Sequence, residues 1–561
     1  MIAIFAIRLF YIQVIQHEKF LAEADAMQVT KNTILPERGQ IYVHDGEALA
    51  PLVLNEPVFT VFADPHEVKN AEAVKEAVQE IAGGEAVSES FGLLGDKNKR
   101  YVVLAKQVTR TQAEKIRALD LAGVGTQEDT RRVYPEGTLA AQTLGFVNSD
   151  GEGQYGIEQY LNDELKGTPG IMQSVTDVRH IPLTIGLHDV RIPAKNGDEL
   201  VLTLDRNIQA QAESVLKSGL DRVGATRGSI VVMDPDSGAV LAMANYPTYY
   251  PAEYSKVENA ELFQNAVVNN AFEPGSVMKS LTTGVALDSG VINRNSTFVN
   301  PGCVQIADAQ ICNVEREVDG MQMNMTQVLQ YSLNTGVVWQ LQQMGGGSIN
   351  DRAQNTLYNY FSDHYRFGKL TGIEQIGESD GVLIAPDNPE GGVVRYANMT
   401  FGQGMNATMI QVANAFAAAV NGGTYYKPHI VDGVRGEDGK FQARESEAVA
   451  RDVLKPETSQ TLKEMLRDAR RGYSATADRG YYVGGKSGTA QIVDPTTGKY
   501  SETNFIGTYL GYGADATGTP KYVIMVRVDD SRAGGFAGST AAGPIFTEMS
   551  NWIIDYKGIS R

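Results

Sequence analysis

Apolar and polar positions along this chain follow two periods, and the switches between them outline its organisation. Apolar residues recur at helical spacing over Ala71–Ile81 and Asn207–Leu220, and Ser276–Leu287, Thr326–Gln342 and the apolar Thr408–Val420 are likewise expected to be helices. Short β-branched and aromatic runs predict strands at Val58–Phe62, Tyr101–Leu104, Val201–Asp205, Phe505–Tyr512 and Tyr522–Val528. Gly228–Met233 and Ala239–Ala244, joined through Asp234-Pro-Asp-Ser-Gly238, predict a hairpin. Asp288-Ser-Gly290 and Gly422-Gly423 supply helix stops, and Thr335-Gly336 is the expected irregularity inside Thr326–Gln342. Asn196-Gly-Asp-Glu199 breaks the pattern and marks a domain boundary. The pattern contains no internal repeat.

A chain of 561 residues is expected to form more than one domain. With 49 basic against 67 acidic residues the net charge is −18, which argues against a nucleic-acid surface and fits a soluble acidic exterior. Met1–Ile15 is apolar at 13 of 15 positions, interrupted by Arg8 and Gln13. That is short for a full membrane span of roughly 20 residues, and it lacks the basic start and cleavage site of a signal peptide. A buried or amphipathic helix and the end of an anchor both remain open on composition. The two cysteines, Cys303 and Cys312, are equally compatible with a local disulfide and with two free thiols. The scattered histidines offer no zinc spacing and no Ser-His-Asp triad, so neither metal nor cofactor is called for.

The chemistry lies in three short segments in a fixed order: Ser276-Val-Met-Lys279, Ser332-Leu-Asn334 and Lys486-Ser-Gly-Thr489. Each is weak alone, because the chain repeats their letters elsewhere. Ser214-Val-Leu-Lys217 and the overlapping Lys217-Ser-Gly219 lie on one helical face, and Ser348-Ile-Asn350 is a second S-x-N. Context separates them. Glu273-Pro-Gly275 breaks the chain before Ser276, so the serine opens a helix with Lys279 on the same face. A plain N-cap is the bland role for such a serine, and helix-surface polarity is the bland role for Ser332 and Asn334. Lys486-Ser-Gly-Thr489 lies between strand signals at Tyr481–Val483 and Thr489–Val493, and Gly488 would let a substrate backbone approach the strand closely. Gly480–Ser487 also fits the phosphate-binding loop expression, but a strand and the Asp494–Gly498 turn signal follow where that loop needs a helix. Gly377-Glu-Ser-Asp-Gly381 fits a nucleophile elbow with a charged interior, and reads as a solvated turn.

With these residues the chain resembles the class B penicillin-binding proteins, monofunctional peptidoglycan D,D-transpeptidases, over nearly its whole length. Arg38-Gly-Gln-Ile41 with Asp45-Gly46 is similar to the family's first pedestal motif, departing from it at Val43-His44. Arg132-Val-Tyr-Pro135, Gly137, Gly145 and Gly156-Ile-Glu158 resemble the second. Glu273-Pro-Gly-Ser276, Gly402-Gln-Gly404, Thr408 and Gln411 match within the transpeptidase domain. The resemblance implies a multidomain α+β protein. An elongated pedestal over residues 16–195 would precede a transpeptidase domain over 196–561, with a central antiparallel sheet flanked by helices. Arg8-Leu-Phe-Tyr-Ile-Gln13 resembles the family's membrane-exit segment, which makes residues 1–15 the remnant of a single-pass anchor whose true start lies upstream, and places the bulk of the chain outside the cytoplasm. Phe505-Ile-Gly507 soon after Lys486–Gln491, then Val526–Asp530, Gly534-Gly535 and Ala542-Gly-Pro-Ile-Phe546, resemble the cell-division branch rather than the elongation branch. With the end at Arg561 shortly after the helix that Ala542–Phe546 would open, no appended C-terminal module is expected.

The resemblance assigns roles to matching positions only. Ser276 is the implied nucleophile, Lys279 its base, Ser332 a proton relay, and Asn334 the holder of Lys279 and of the substrate amide. Lys486, Ser487, Gly488 and Thr489 would bind the donor peptide along a strand. The backbone N–H groups of Ser276 and Thr489 would form the oxyanion hole. The implied partners are D-alanyl-D-alanine stem peptides, β-lactams, a SEDS-type glycan polymerase and other divisome membrane proteins. Competing readings are a β-lactam sensor, a β-lactamase, a nucleotide-dependent protein using Gly480–Ser487, and a scaffold with dispensable activity.

Overall fold

In a computed structural model, which describes residues 2–17, 19, 29–175, 190–436, 439–471, 481–493, 500–531 and 536–560, the backbone falls into two units. One comprises Met1–Gln40, Asn55–Val133 and Asn162–Glu199; the other comprises Ile41–Leu54, Tyr134–Leu161 and Leu200–Arg561.

In the first unit the helical period at Ala71 becomes a helix over Ala71–Ala82, whose N-cap Asn70 accepts from Ala73 N and whose Val74, Val78 and Ala82 are buried. Thr109 and Gln112 form a capping box at the start of a second helix, Arg110–Ala118. Both helices share a core with Phe59, Val61 and Leu104, so the expected strands at Val58 and Tyr101 are present and pair antiparallel. Two arginines of the pedestal motifs converge on one side chain: Asn55 donates to the Arg38 carbonyl and accepts from Arg132 Nη1. Residues 2–15 are helical, and among the described residues no helix is long and apolar enough to cross a membrane.

The second unit is built on a five-stranded sheet. Its strands are β1 (Arg227–Met233), β2 (Val240–Tyr246), β3 (Tyr482–Val493), β4 (Tyr500–Ala514) and β5 (Pro520–Ser531). Every neighbouring pair is antiparallel, in the order β2-β1-β5-β4-β3. The hairpin read from residues 228–244 is β1–β2. The Val523–Val526 run of β5 is buried on both faces, as expected for a central strand with helices above and below. Helices α1 (Arg206–Val223), α2 (Met278–Asp288), α3 (Met325–Gln330), α4 (Asn334–Met344), α5 (Met409–Val420), α6 (Pro456–Arg471) and α7 (Gly543–Tyr556) surround it. Val215, Leu216 and Leu220 of α1 and Phe546, Met549 and Ile553 of α7 form one core with Ile230, Ile524 and Val526 of the sheet. Helix α5 is buried along its whole length. It begins with a reciprocal Thr408–Gln411 cap, the pair matched in the sequence. His44, where the first pedestal motif departs from the family pattern, does make a polar contact, 2.8 Å to Asp432. Gly480, the Asp494–Gly498 turn and the Gly534-Gly535 bend lie outside the described residues.

The largest departure from the sequence reading concerns Thr326–Gln342. It is two helices, α3 and α4, separated at Tyr331-Ser332-Leu333 and not disturbed at Thr335-Gly336. Ser332 takes φ +52°, a left-handed conformation that ends the first helix. The second helix is then anchored sideways. Thr335 N donates to Asn313 Oδ1 at 3.0 Å, and Thr335 Oγ1 donates to Asn300 Oδ1 at the same distance.

Candidate active site

Ser276 leaves a tight turn that only glycine fits. Gly275 has φ +68°, and its N–H donates to Gly402 O at 3.1 Å. A Cβ on Gly402 would lie 2.2 Å from the Gly275 carbonyl oxygen. Glu273 closes the turn by accepting from Gly404 N at 2.8 Å, which explains why the Glu-Pro-Gly and Gly-Gln-Gly segments match together. Ser276 follows in a single 3₁₀ turn over Gly275–Val277 that runs into α2. Its hydroxyl caps neither segment, so the bland N-cap role does not apply. It lines a cavity of about 330 Å³ together with Glu315, Ser332, Asn334, Ser487, Gly488 and Thr489.

Lys279, the second residue of α2 and three positions after Ser276, is 0 % exposed. Its Nζ donates to the Ser332 carbonyl at 2.5 Å and to Ser332 Oγ at 3.1 Å. The left-handed backbone of Ser332 therefore has a purpose: it turns both oxygens of one residue toward one amine. Burial and then the nearby charge of Lys486 hold the Lys279 ammonium well below the usual lysine range, with Glu315 opposing. Lys486, on β3, is 3 % exposed and donates to the Ser487 carbonyl at 2.9 Å. Its burial brings it down to about 7, again against the pull of Glu315.

Strand β3 runs through the Lys486–Thr489 motif without interruption, pairing Lys486 with Leu510 and Thr489 with Gly507 of β4. Lys486 and Ser487 lie inside a strand that continues to Val493, where a phosphate-binding loop would open a helix, so the match is an accident of letters. Gly488 is required by the protein's own packing. A Cβ there would lie 2.4 Å from Thr508 Oγ1, 3.0 Å from Val277 N and 3.1 Å from the Pro274 carbonyl oxygen. Thr508 also donates to that Pro274 carbonyl at 3.1 Å, clamping the nucleophile turn onto the sheet. A Cβ on Gly275 would lie 3.4 Å from Thr489 N, so the Thr489 amide sits beside the start of Ser276. Thr489 Oγ1 accepts from Gly538 N at 3.1 Å.

Asn334 faces the cavity, but its Nδ2 donates to the Cys312 carbonyl at 2.9 Å, not to Lys279. Cys303 and Cys312 form a disulfide across a small hairpin, settling what the sequence left open. Asn313 extends the anchorage, donating to Asn300 Oδ1 at 2.8 Å while accepting from Thr335. Sequence reasoning missed Asn300, Asn313 and Glu315. They lie in no motif, and Glu315-Arg-Glu317 reads as solvated surface. The duplicate motifs stay apart from the cavity. Ser214 and Lys217 are exposed on α1, Asn350 caps the helix Asp351–Asn359, and Ser379 Oγ accepts from Gly381 N within a loop.

Comparison with known proteins adds to this geometry. The family model described as "Penicillin binding protein transpeptidase domain" matches residues 228–551, and "Penicillin-binding Protein dimerisation domain" matches residues 33–202. Stage V sporulation protein D of Bacillus subtilis is 31 % identical, with 96 % of this chain and 81 % of the relative covered. Peptidoglycan D,D-transpeptidase FtsI of Escherichia coli K12 is 28 % identical, covering 98 % of this chain and 88 % of the relative. A peptidoglycan synthetase structure from Bifidobacterium adolescentis superposes with TM-score 0.75 at 24 % identity, covering 95 % of this chain and 97 % of the other. Penicillin Binding Protein 2X from Streptococcus thermophilus gives TM-score 0.72 at 22 % identity, covering 95 % and 81 %. Both solved structures share the fold.

Proposed function

The chain belongs to the class B penicillin-binding proteins, and from that premise we propose that Ser276 is the nucleophile of its transpeptidase reaction. The protein is a serine-type peptidoglycan D,D-transpeptidase of cell-wall synthesis and binds stem peptides and β-lactams. One observation carries the residue assignment: an uncapped serine hydroxyl opens onto the cavity lined by Ser332, Asn334 and Ser487–Thr489, one helical turn from a buried lysine bonded to Ser332.

The chemistry follows from counting hydrogens. A neutral amine has two N–H donors and one lone pair. The two bonds from Lys279 to Ser332 occupy both donors and leave the lone pair for the Ser276 proton. Burial beside Lys486 disfavours the charged form of that amine. Ser276 Oγ attacks the carbonyl of the penultimate D-alanine; the C–O bond forms, the C–N bond breaks, and the proton passes through Lys279 and Ser332 to the departing D-alanine. The Ser276 and Thr489 amides hold the oxyanion, and Lys486 with Ser487 faces the terminal carboxylate. Asn334, held by Cys312, presents its remaining amide oxygen to the substrate backbone. An amine from a neighbouring stem peptide then resolves the ester.

Fluorescent penicillin tests the assignment. The wild-type chain gains one stable adduct by intact mass, and Ser276→Ala gains none; an adduct that persists in Ser276→Ala sinks it. Rapid release of the adduct would instead favour a β-lactamase.

Around this site we assign residues 16–195 to a pedestal, 196–561 to the transpeptidase domain, and 1–15 to the end of a membrane anchor, with the catalytic domain outside the cytoplasm. The work is septal, beside a SEDS-type polymerase and divisome proteins. The Phe505-Ile-Gly507 and Ala542–Phe546 patterns and the named FtsI relative support this reading. Septal against side-wall position of a tagged copy tests it.

A further inference from the structure

One charged residue of the cavity takes no proton and holds no donor group in the acylation described above. Glu315 lines it with Ser276, Ser332, Asn334 and Ser487, half-buried, and makes no hydrogen bond or ion pair with any described residue. Its carboxylate acts electrostatically on both Lys486 and Lys279. Burial nonetheless pushes its carboxyl up from the ordinary glutamate range. The backbone on either side is fixed. Cys312 is tied by the disulfide and by Asn334, Asn313 by Asn300 and Thr335, and Arg316 reaches Asp319 at 3.5 Å and Cys303 Sγ at 3.2 Å. A half-buried carboxylate held on a braced segment, with no hydrogen bond or ion pair among the described residues, is an unfavourable arrangement in the resting protein. It becomes favourable when a cation enters.

The reaction brings such a cation. Behind the cavity wall at Ser487 lies Lys486, to which the donor's terminal carboxylate is assigned, and the wall itself carries a negative charge at Glu315. Once D-alanine has left, the second substrate is an amine, which at neutral pH is an ammonium ion and is repelled by Lys486. We propose that Glu315 binds the ammonium form of the acceptor amine and presents it to the Ser276 acyl-enzyme. This rests on the transpeptidase reading. One proton of the ammonium leaves to water. The amine nitrogen then bonds to the acyl carbon, the bond to Ser276 Oγ breaks, and the amine's second proton returns to Oγ through Lys279. Glu315 is thus an acceptor-specificity residue, selecting a cationic amine over water.

The test is the partition of the acyl-enzyme between amine and water, a ratio from which the acylation rate cancels. The donor is an N-benzoyl-D-alanyl thioester and the acceptor Nα-acetyl-lysinamide, which carries a single amine. At sub-saturating acceptor, Glu315→Gln lowers the ratio of amide product to hydrolysis product about tenfold, or about 1.4 kcal/mol, through a raised acceptor KM. Glu315→Asp, which keeps the charge, recovers it to within about threefold of wild type. The wild-type ratio also falls with added salt, a measurement that needs no variant. A ratio unchanged in Glu315→Gln, or insensitive to salt in the wild type, overturns the proposal. So does a wild type that transfers nothing to the amine while penicillin still labels Ser276. Absence of labelling altogether would count against the transpeptidase assignment instead.

Discussion

Ser214-Val-Leu-Lys217 and Ser276-Val-Met-Lys279 are nearly the same four letters in two helices of one unit. On α1, Lys217 reaches into solvent and meets Asp221 at 3.2 Å, with both side chains more than half exposed. On α2, Lys279 has no exposure and meets two oxygens of Ser332. The first lysine keeps its water; the second loses it and gains a like charge, Lys486, as neighbour. Desolvation and that neighbour turn an ordinary cation into a base. The comparison extends to the overlapping Lys217-Ser-Gly219 and Lys486-Ser-Gly488. A Cβ on Gly219 would meet the side chain of Ile545, whereas one on Gly488 would meet Thr508 Oγ1 and the backbone beside the nucleophile.

The largest way to test this contrast is at the serines. Ser276→Ala should slow penicillin acylation on the order of 10⁴-fold or more, while Ser214→Ala stays within about twofold of wild type. Equal losses would mean that burial is not what separates them. At the lysines, Lys279→Ala should cost on the order of 10³-fold at pH 7 and Lys217→Ala almost nothing, by stopped-flow with a chromogenic β-lactam. At the glycines, Gly488→Ala and Gly219→Ala should each destabilise by about 1–3 kcal/mol in thermal melts. Only Gly488→Ala should also impair acylation of the protein that remains folded, since its Cβ displaces Val277 and Pro274.

The smallest effect is in pH. Lys279, depressed below the usual lysine range, becomes a base as pH rises through its lowered value, so acylation climbs on the acid side. Lys486 loses its charge as pH rises through about 7, and with it the grip on the donor carboxylate. The rate constant should therefore fall about tenfold per unit on the alkaline limb. In Lys486→Arg, whose guanidinium stays charged, that limb should move to higher pH. A limb left in place by Lys486→Arg would remove Lys486 from this role.

Much of the local structure was readable in advance, because it rests on neighbours in the chain. The β1–β2 hairpin follows from two short apolar runs joined through Asp234–Gly238, and α5 from an apolar run opened by Thr408 and Gln411. Elsewhere the reading was incomplete. Thr326–Gln342 looked like one helix because its period is unbroken; Ser332 interrupts it to bring two oxygens to a lysine 53 residues away. Gly488 invited an explanation from substrate approach, but the atoms that exclude a side chain belong to Thr508, Val277 and Pro274. Asn334 was expected on Lys279 and is bonded to Cys312. Glu315 carried no signal, since a glutamate beside Arg316 and Glu317 resembles any solvated loop.

By itself, then, the order of residues determined which reactive groups this protein owns and where helices and strands begin, since caps, turns and periodicity act over a few positions. Which of two look-alike lysines gives up its hydration was decided only by the folded molecule. A shifted proton affinity is a property of the volume around a group, and that volume is filled by Ser332 and Lys486, contributed from distant parts of the chain.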